Sequence, residues 1–180
     1  TVAFYPYSRG VDANQITLDS LPPIGQPTNQ RSKIEAVFVL DTTGSMSGMI
    51  QTAKEKIWSI ATSMASAKQA PEIKIGLVAY RDRGDNYITQ TRDLSADLDS
   101  MYVNLMDFQA NGGGDGPESV NQALHDAVNR ISWNPDQNAY KVIFLVGDAA
   151  PHMDYQDDVK YPQTLRLAQQ KGIIDRKSVV

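Results

Sequence analysis

The sequence predicts an α/β fold, with a doubly wound, mostly parallel sheet and helices on both of its faces. Two apolar runs, residues 36–40 and 142–146, each end abruptly beside an aspartate, as strands buried on both faces do. Between the candidate strands, apolar residues recur every three or four positions, which is the period of a helix packed on one side. Strands that alternate with helices favour a parallel sheet covered on both faces.

The N-terminal region differs in character from the rest of the chain. Within residues 1–33, a short apolar start is followed by a polar stretch that contains several prolines. This region is predicted to be an arm or linker. The domain itself is predicted to span residues 34–180, because a chain of 180 residues suits one hydrophobic core better than two.

The first half of the predicted domain holds three strands and one helix. The strand at residues 36–40 is followed by a helix from Met49, whose apolar positions lie three and four apart. Residues 73–80 are predicted to form a second buried strand. Residues 87–92 are more polar and suit a strand at the sheet edge, so these two strands are predicted to form a hairpin.

The second half begins with a glycine-rich loop at residues 112–116, after which Pro117 fits the first position of a helix. The buried strand at 142–146 comes next. A last helix is predicted to stop at Gly172, and residues 173–174 begin a further strand. For the first four strands the predicted order in the sheet is near 3-2-1-4.

Composition and charge exclude several classes of function. The net charge of −4 and the scattered Lys and Arg residues provide no basic surface, so nucleic acid is not an expected partner. The absence of cysteine excludes disulfides, thiolate metal sites and cysteine nucleophiles. No apolar run approaches the roughly 20 residues that span a bilayer. The compartment stays open, with an extracellular, periplasmic or cell-surface location favoured over the cytoplasm.

Oxygen-bearing side chains follow the predicted strands at the edge where ligands collect in an open parallel sheet. Three loops contribute them: Asp41, Thr43 and Ser45 from the first, Asp115 and Glu118 from the second, and Asp148 from the third. Hard cations prefer such ligands, which predicts a site for Mg²⁺, or for Mn²⁺ or Ca²⁺. Two hydroxyls among the donors keep the site low in charge, so the cation could accept a carboxylate from another molecule.

Three motifs give these loops a family resemblance. Asp41-Thr42-Thr43-Gly44-Ser45, directly after an apolar strand, resembles the Asp-x-Ser/Thr-x-Ser metal-ion-dependent adhesion site (MIDAS) of von Willebrand factor A domains. Asp115-Gly116-Pro117-Glu118 is similar to the Asp-x-Pro-Glu turn of integrin β I-like domains, and Asp148-Ala149 follows the fourth strand as in that family. The resemblance covers about residues 34–174.

The resemblance implies a role for each candidate ligand. Thr43 and Ser45 would coordinate the metal through their hydroxyls, and Asp41 and Asp148 directly or through bridging water. An acidic group would come from the second loop. Most A domains have a threonine at the position of Glu118, so whether Glu118 or Asp115 faces the cation stays open.

The resemblance also implies a function and a boundary. A protein partner would present an acidic side chain that completes the coordination of the metal, and the chain would not be an enzyme. The family sheet normally continues beyond the point reached at Ile174. The last strand or strands are therefore expected to be missing from a domain truncated at its C-terminus, with an exposed sheet edge available for self-association.

Several alternatives stand beside this interpretation. The chain could be a regulatory module of a larger enzyme, or a metal-dependent hydrolase in which Glu118 or His152 acts as a base. Asp41 and Ser45 could instead cap the following helix. The tripeptide Arg83-Gly84-Asp85 matches a string that integrins recognise, although so short a string arises readily by chance.

Overall fold

The computed structural model describes residues 3–4, 32–67, 71–114 and 116–179. This part of the chain contains one six-stranded sheet, in the order β1-β6-β5-β2-β3-β4. The strands are β1 (Ala3–Phe4), β2 (Lys33–Asp41), β3 (Glu72–Tyr80), β4 (Thr89–Ser95), β5 (Tyr140–Gly147) and β6 (Ile173–Val179). The four inner strands are parallel, and the two edge strands are antiparallel to their neighbours. The predicted α/β class and the 3-2-1-4 order are confirmed.

Four helices cover the two faces of the sheet: α1 (Ile50–Ala65), α2 (Leu98–Asp107), α3 (Val120–Asn129) and α4 (Tyr161–Gln170). Successive residues of a strand point to opposite faces. Phe38 of β2 therefore packs with α1 and α2, while Val37 and Val39 pack with α3 and α4. Both sides of β2 are buried, as its continuous apolar run predicts. No helix within the described ranges combines the length and the apolar character that a bilayer crossing requires.

Two elements differ from the prediction. Helix α2 was not predicted. Only Met101 and Leu105 are fully buried in it, while Leu98 and Met106 are partly buried against the core, so its apolar pattern is weaker than that of α1. The predicted helix start at Pro117 is wrong, since α3 begins at Val120. The reason is a long-range contact: Glu118 forms a parallel β-bridge with Pro151, which holds its backbone out of the helix.

The hairpin strand also begins and ends later than predicted, since β4 runs from Thr89 to Ser95. The predicted strand at residues 173–174 is confirmed and continues to Val179. Two residues at the end of its outer edge are paired by the chain itself, through Ala3 with Val179 and Phe4 with Ser178. The remainder of the predicted arm, residues 1–2 and 5–31, lies outside the described residues.

The core beneath the sheet provides a prediction that is independent of any ligand. Ile143 of β5 is 1% exposed and packs between strands and helices on the α3 and α4 face. Replacing it with valine should lower the free energy of unfolding by about 1 kcal/mol, the usual cost of removing one buried methyl group. Thermal melting should show the same decrease in EDTA and in Mg²⁺. A decrease that depends on the cation would contradict this view of Ile143.

Candidate metal centre

The candidate ligands lie where two neighbouring parallel strands end. Asp41 is the last residue of β2, and Asp148 directly follows β5. The two strands are paired up to Leu40 and Val146, so their carboxyl ends lie side by side. Ser45 belongs to a short 3-10 helix (Gly44–Gly48) that connects β2 to α1.

A series of close polar contacts connects the first and third loops. Asp41 Oδ1 accepts from the Thr43 backbone N–H at 2.9 Å and from Thr43 Oγ1 at 2.7 Å. Thr43 Oγ1 lies 3.1 Å from Ser45 Oγ, which in turn donates to Asp148 Oδ1 at 3.0 Å. Asp41 and Thr43 are buried, whereas Ser45 is exposed. Four of the candidate ligands therefore lie together, and the cluster opens to solvent on the Ser45 side.

Glu118 reaches this cluster from the loop that precedes α3. Its backbone is fixed at both ends, because its N–H donates to Ala150 O at 2.9 Å and its carbonyl accepts from His152 N at 3.0 Å. A Cβ atom built on Gly113 would lie 3.2 Å from Glu118 Oε1 and 3.3 Å from Thr43 Cβ. The carboxylate of Glu118 therefore lies close to both Gly113 and Thr43, and Thr43 acts to lower its pKa. Asp115, the other acidic candidate of this loop, lies outside the described residues.

The glycine-rich loop packs against the first loop through its backbone. Gly44 N donates to Gly112 O at 2.9 Å, and Asn111 N donates to Thr42 O at 3.0 Å. Gly112 and Gly113 have φ values of 75° and 78°, a region that favours glycine. Backbone conformation therefore explains these two glycines.

Two carboxylate oxygens at the centre are buried without a hydrogen-bond partner among the described residues: Asp41 Oδ2 and Glu118 Oε2. The Tyr80 hydroxyl lies beside Asp41 and acts to lower the pKa of that carboxyl, but no hydrogen bond of good geometry reaches Oδ2. Asp41 is 0% exposed and Glu118 3%. Unpaired buried polar atoms are costly, so they indicate a missing partner.

The electrostatics of the site favour a positive partner. Burial and, after it, the charges of Asp41 and Asp82 together raise the pKa of Glu118 to about 7. Burial likewise raises the pKa of Asp41, against the hydrogen bonds from Thr43, and the charge of Asp148 adds to the increase. A cation would relieve this repulsion.

The donor set fits a hard cation that uses hydroxyl ligands. No three carboxylate or imidazole groups converge closely enough to hold a metal by themselves in the described part of the chain. A cation bound here therefore needs the hydroxyl oxygens of Thr43 and Ser45 as well as the carboxylates. Oxygen donors of this kind suit Mg²⁺, Mn²⁺ or Ca²⁺.

His152 does not lie at the rim of the site, where the sequence suggested that it could lie. It is 3% exposed and its ring stacks on Tyr155 at 4.0 Å. Its Nδ1 lies 2.8 Å from Asp154 Oδ1, and its Nε2 lies 3.5 Å from Asp82 Oδ2. The ring therefore serves to pack the loop that follows β5.

Asp82 is the acidic residue near the site that sequence reasoning missed. It is 6% exposed, accepts a 2.9 Å hydrogen bond from Ser119 Oγ, and acts on the pKa of Glu118. A signal was available, since Asp82 lies two residues beyond the end of β3 as Asp148 lies directly beyond β5. The rule that located Asp41 and Asp148 applies to it equally.

Gly147 permits the close packing behind Asp41. A Cβ atom there would lie 2.3 Å from the Tyr80 hydroxyl and 3.0 Å from Asp41 Cβ. Gly147→Ala should lower the free energy of unfolding by about 1–2 kcal/mol through overpacking, and it should weaken Mg²⁺ binding by displacing Asp41. Gly48→Ala is the matched control, because nothing lies within 4 Å of a Cβ built there. Melting in EDTA and calorimetric titration of Mg²⁺ measure the two effects, and equal behaviour of the two variants would contradict this prediction.

Comparison with known proteins gives a family match and a shared fold. A family model described as von Willebrand factor A domain matches residues 35–174. The solved structure of the conserved hypothetical protein BatB from Bacteroides thetaiotaomicron superimposes with a TM-score of 0.61 at 17% identity. The superposition covers 80% of this chain and 65% of that chain, which shows the same fold.

Two curated relatives match over most of the domain. Von Willebrand factor A domain-containing protein 7 from Mus musculus is 35% identical over 114 residues, which is 63% of this chain and 12% of that protein. Alpha-protein kinase vwkA from Dictyostelium discoideum is 26% identical over 123 residues, which is 66% of this chain and 19% of the kinase. The chain thus spans a small part of each relative.

Proposed function

The chain belongs to the von Willebrand factor A domain family, and we propose that it is a protein-binding domain whose affinity for its partner depends on a bound divalent cation. Asp41, Thr43, Ser45, Glu118 and Asp148 hold the cation. The observation that carries the proposal is the pair of buried carboxylate oxygens, Asp41 Oδ2 and Glu118 Oε2, which lack hydrogen-bond partners among the described residues. They lie in one cluster with two hydroxyl donors.

The ligand set determines which cation fits and what it does. Mg²⁺ is the expected ion, with Mn²⁺ or Ca²⁺ as substitutes, because every donor is an oxygen. When bound, the ion would act as a Lewis acid and accept a carboxylate oxygen from the partner as a ligand. The chain's own residues hold the ligands in place: Thr43 orients Asp41 through two hydrogen bonds, and Ser45 orients Asp148 through one.

The partner is a protein that presents an aspartate or glutamate side chain. Ser45 and Asp148 lie on the open side of the cluster, so an incoming carboxylate approaches past them. The domain is not itself an enzyme in this proposal. The proposal gives no catalytic role to His152, the candidate base of a hydrolase, which is buried, stacked on Tyr155 and hydrogen-bonded to Asp154.

A second candidate function uses the same chemistry in a different setting. The relative vwkA is named as an alpha-protein kinase, of which this chain spans 19%. A domain of this kind would then serve as a regulatory module that binds an acidic segment of a larger enzyme. The cation and its ligands are the same under both functions.

Displacement of metal-bound water by a carboxylate tests the proposed function. Mn²⁺ loaded into the protein should retain some bound water and enhance water-proton relaxation. Adding the blocked peptide acetyl-Gly-Glu-Gly-amide, whose only carboxylate is the glutamate side chain, should lower that enhancement, whereas acetyl-Gly-Gln-Gly-amide should leave it unchanged. An equal response to both peptides, or to neither, would contradict binding through a partner carboxylate.

Ser45 offers a matched pair of variants for the same experiment. Ser45 Oγ lies in the ligand chain, while Ser47 is exposed in the same 3-10 helix. Ser45→Ala should weaken Mn²⁺ binding by about tenfold, the lower end of what loss of a group at a metal site costs, and Ser47→Ala should bind as the wild type does. Electron paramagnetic resonance of free Mn²⁺ measures both affinities, and equal affinities would exclude Ser45 as a ligand.

A further inference from the structure

The turn between β3 and β4, residues 81–88, connects the loops that surround the metal centre. Arg81 is 7% exposed, and its guanidinium bridges two backbone carbonyls. Nε donates to Thr42 O at 3.1 Å, and Nη2 donates to Gln109 O at 2.9 Å. The turn therefore ties the first loop of the site to the segment that leads into the glycine-rich loop.

Asp85 extends this connection to the glycine-rich loop itself. Its Oδ2 accepts from Gly113 N at 2.9 Å and from Asp82 N at 3.1 Å. A Cβ atom built on Gly112 would lie between 2.2 and 2.6 Å from the Asp85 carboxylate. The carboxylate is thus packed directly against the loop backbone and needs glycine at that position.

Gly113, whose N–H donates to Asp85, lies beside two candidate ligands. A Cβ at Gly113 would lie 3.2 Å from Glu118 Oε1 and 3.3 Å from Thr43 Cβ. A shift of the Gly113 peptide would therefore change the space between the Glu118 carboxylate and the Thr43 hydroxyl. The described hydrogen bonds of the Asp85 side chain run to the backbone of Asp82 and Gly113, so Asp85 reaches the candidate ligands through Gly113.

Arg83, a further charged residue of the turn, contacts the third loop. The Arg83 guanidinium lies over the Tyr155 ring at 4.0 Å and forms ion pairs with Asp157 at 2.9 Å and Asp158 at 2.6 Å. The Tyr155 hydroxyl donates to the carboxylate of Asp82 at 3.2 Å. Both charged side chains of the Arg83-Gly84-Asp85 tripeptide are thus used within the chain, so the tripeptide has a structural explanation that needs no adhesive role.

We propose that Asp85 is a positioning residue of the metal centre: by holding the Gly113 peptide, it keeps Glu118 and Thr43 at the spacing that a Mg²⁺ ion requires. The inference rests on the proposed function, because it assigns Asp85 to the same cation site. Loss of a residue that holds a metal ligand in place from outside the coordination sphere typically lowers metal affinity by about 10- to 100-fold. Asp85 also carries a charge near Glu118, so an experiment must separate position from charge.

Two substitutions, each measured at two salt concentrations, separate the effect of the position of Gly113 from the effect of the Asp85 charge. Asp85→Asn removes the charge but retains an oxygen that can accept from Gly113 N–H, whereas Asp85→Ala removes both. Mg²⁺ affinity of Asp85→Asn should stay within about threefold of the wild type, and that of Asp85→Ala should fall by about tenfold or more. The loss in Asp85→Ala should persist from about 0.05 M to about 0.5 M KCl, because salt screens charge effects and not position.

Hydrogen exchange of the Gly113 amide provides a readout in the absence of metal. In EDTA, exchange at this amide should accelerate in Asp85→Ala and stay slow in Asp85→Asn, while amides in β2 and β5 stay protected in both variants if the fold is intact. Equal loss of affinity in both variants that disappears at high salt would overturn the inference, since charge alone would then account for it. Unchanged affinity in Asp85→Ala would overturn it as well. If the wild type itself binds no Mg²⁺, the proposed function fails along with this inference, whereas binding by the wild type and by Asp85→Ala alike removes the inference alone.

Discussion

Replacing Asp41 with asparagine is expected to weaken divalent-cation binding strongly while leaving the fold in place. The amide oxygen can still accept from the Thr43 backbone N–H and hydroxyl, as Oδ1 does at 2.9 and 2.7 Å. The buried Oδ2, which has no hydrogen-bond partner among the described residues, becomes an NH₂ group that points its hydrogens at the cation. Loss of the charge and of this ligand should weaken Mg²⁺ binding by about 100-fold or more, equivalent to about 2.7 kcal/mol.

Calorimetric titration of Mg²⁺ into Asp41→Asn measures this loss, and melting in EDTA checks the fold. Removing a buried, unpaired charge should leave the metal-free variant at least as stable as the wild type. Asp99→Asn is the matched control, since Asp99 is exposed in the first turn of α2. Asp41→Asn that binds Mg²⁺ as tightly as Asp99→Asn would refute the role of Asp41.

Mg²⁺ affinity is expected to fall by about 100-fold between pH 8 and pH 5. Burial, together with the charges of Asp41 and Asp82, raises the pKa of Glu118 to about 7. Cations and protons compete for the same carboxylate oxygens, so apparent affinity should drop about tenfold for each pH unit below that pKa. The raised pKa of Asp41 acts in the same direction. Titrations at several pH values measure the slope.

The same carboxyl group has a different effect on the metal-free protein. Folding favours the protonated form of Glu118, so its contribution to stability is complete below the ordinary pKa of 4.5 and is lost as the pH rises through about 7. Glu118→Gln, which does not titrate, should reduce the pH dependence both of melting in EDTA and of Mg²⁺ binding. A wild-type affinity that is constant from pH 5 to pH 8 would contradict the assignment of Glu118 as a ligand.

Much of the fold follows from local sequence patterns, because the strongest patterns belong to the central strands. β2 and β5 are buried on both faces, and only a continuous apolar run satisfies such a position. Helix α2 was not predictable in the same way, since only Met101 and Leu105 are fully buried in it. Its clearest signal was Asp97, whose side chain accepts from Ser100 N and caps the helix.

The same distinction applies to the candidate site: residues positioned by local sequence were predictable, and residues positioned by long-range contacts were not. Asp41 and Asp148 were predictable because the ends of parallel strands meet at one edge of the sheet. The conformation of Glu118 was not, since it depends on a bridge to Pro151 from a distant part of the sequence. The role of Asp85 was hidden for the same reason, because its contact with Gly113 joins two loops that are far apart in the chain.

Thermal melting of the wild-type protein in Mg²⁺ and in EDTA tests the central claim most directly. A cation that binds only the folded state stabilises it, by about 2.7 kcal/mol when its concentration is about 100 times the Kd. For a domain of this size, that corresponds to an increase in Tm of about 5–10 °C. We expect such an increase in about 10 mM Mg²⁺ at neutral pH, and its loss in Asp41→Asn. Superimposable melting curves of the wild type with Mg²⁺ and with EDTA would contradict the presence of a cation site at Asp41, Glu118 and Asp148.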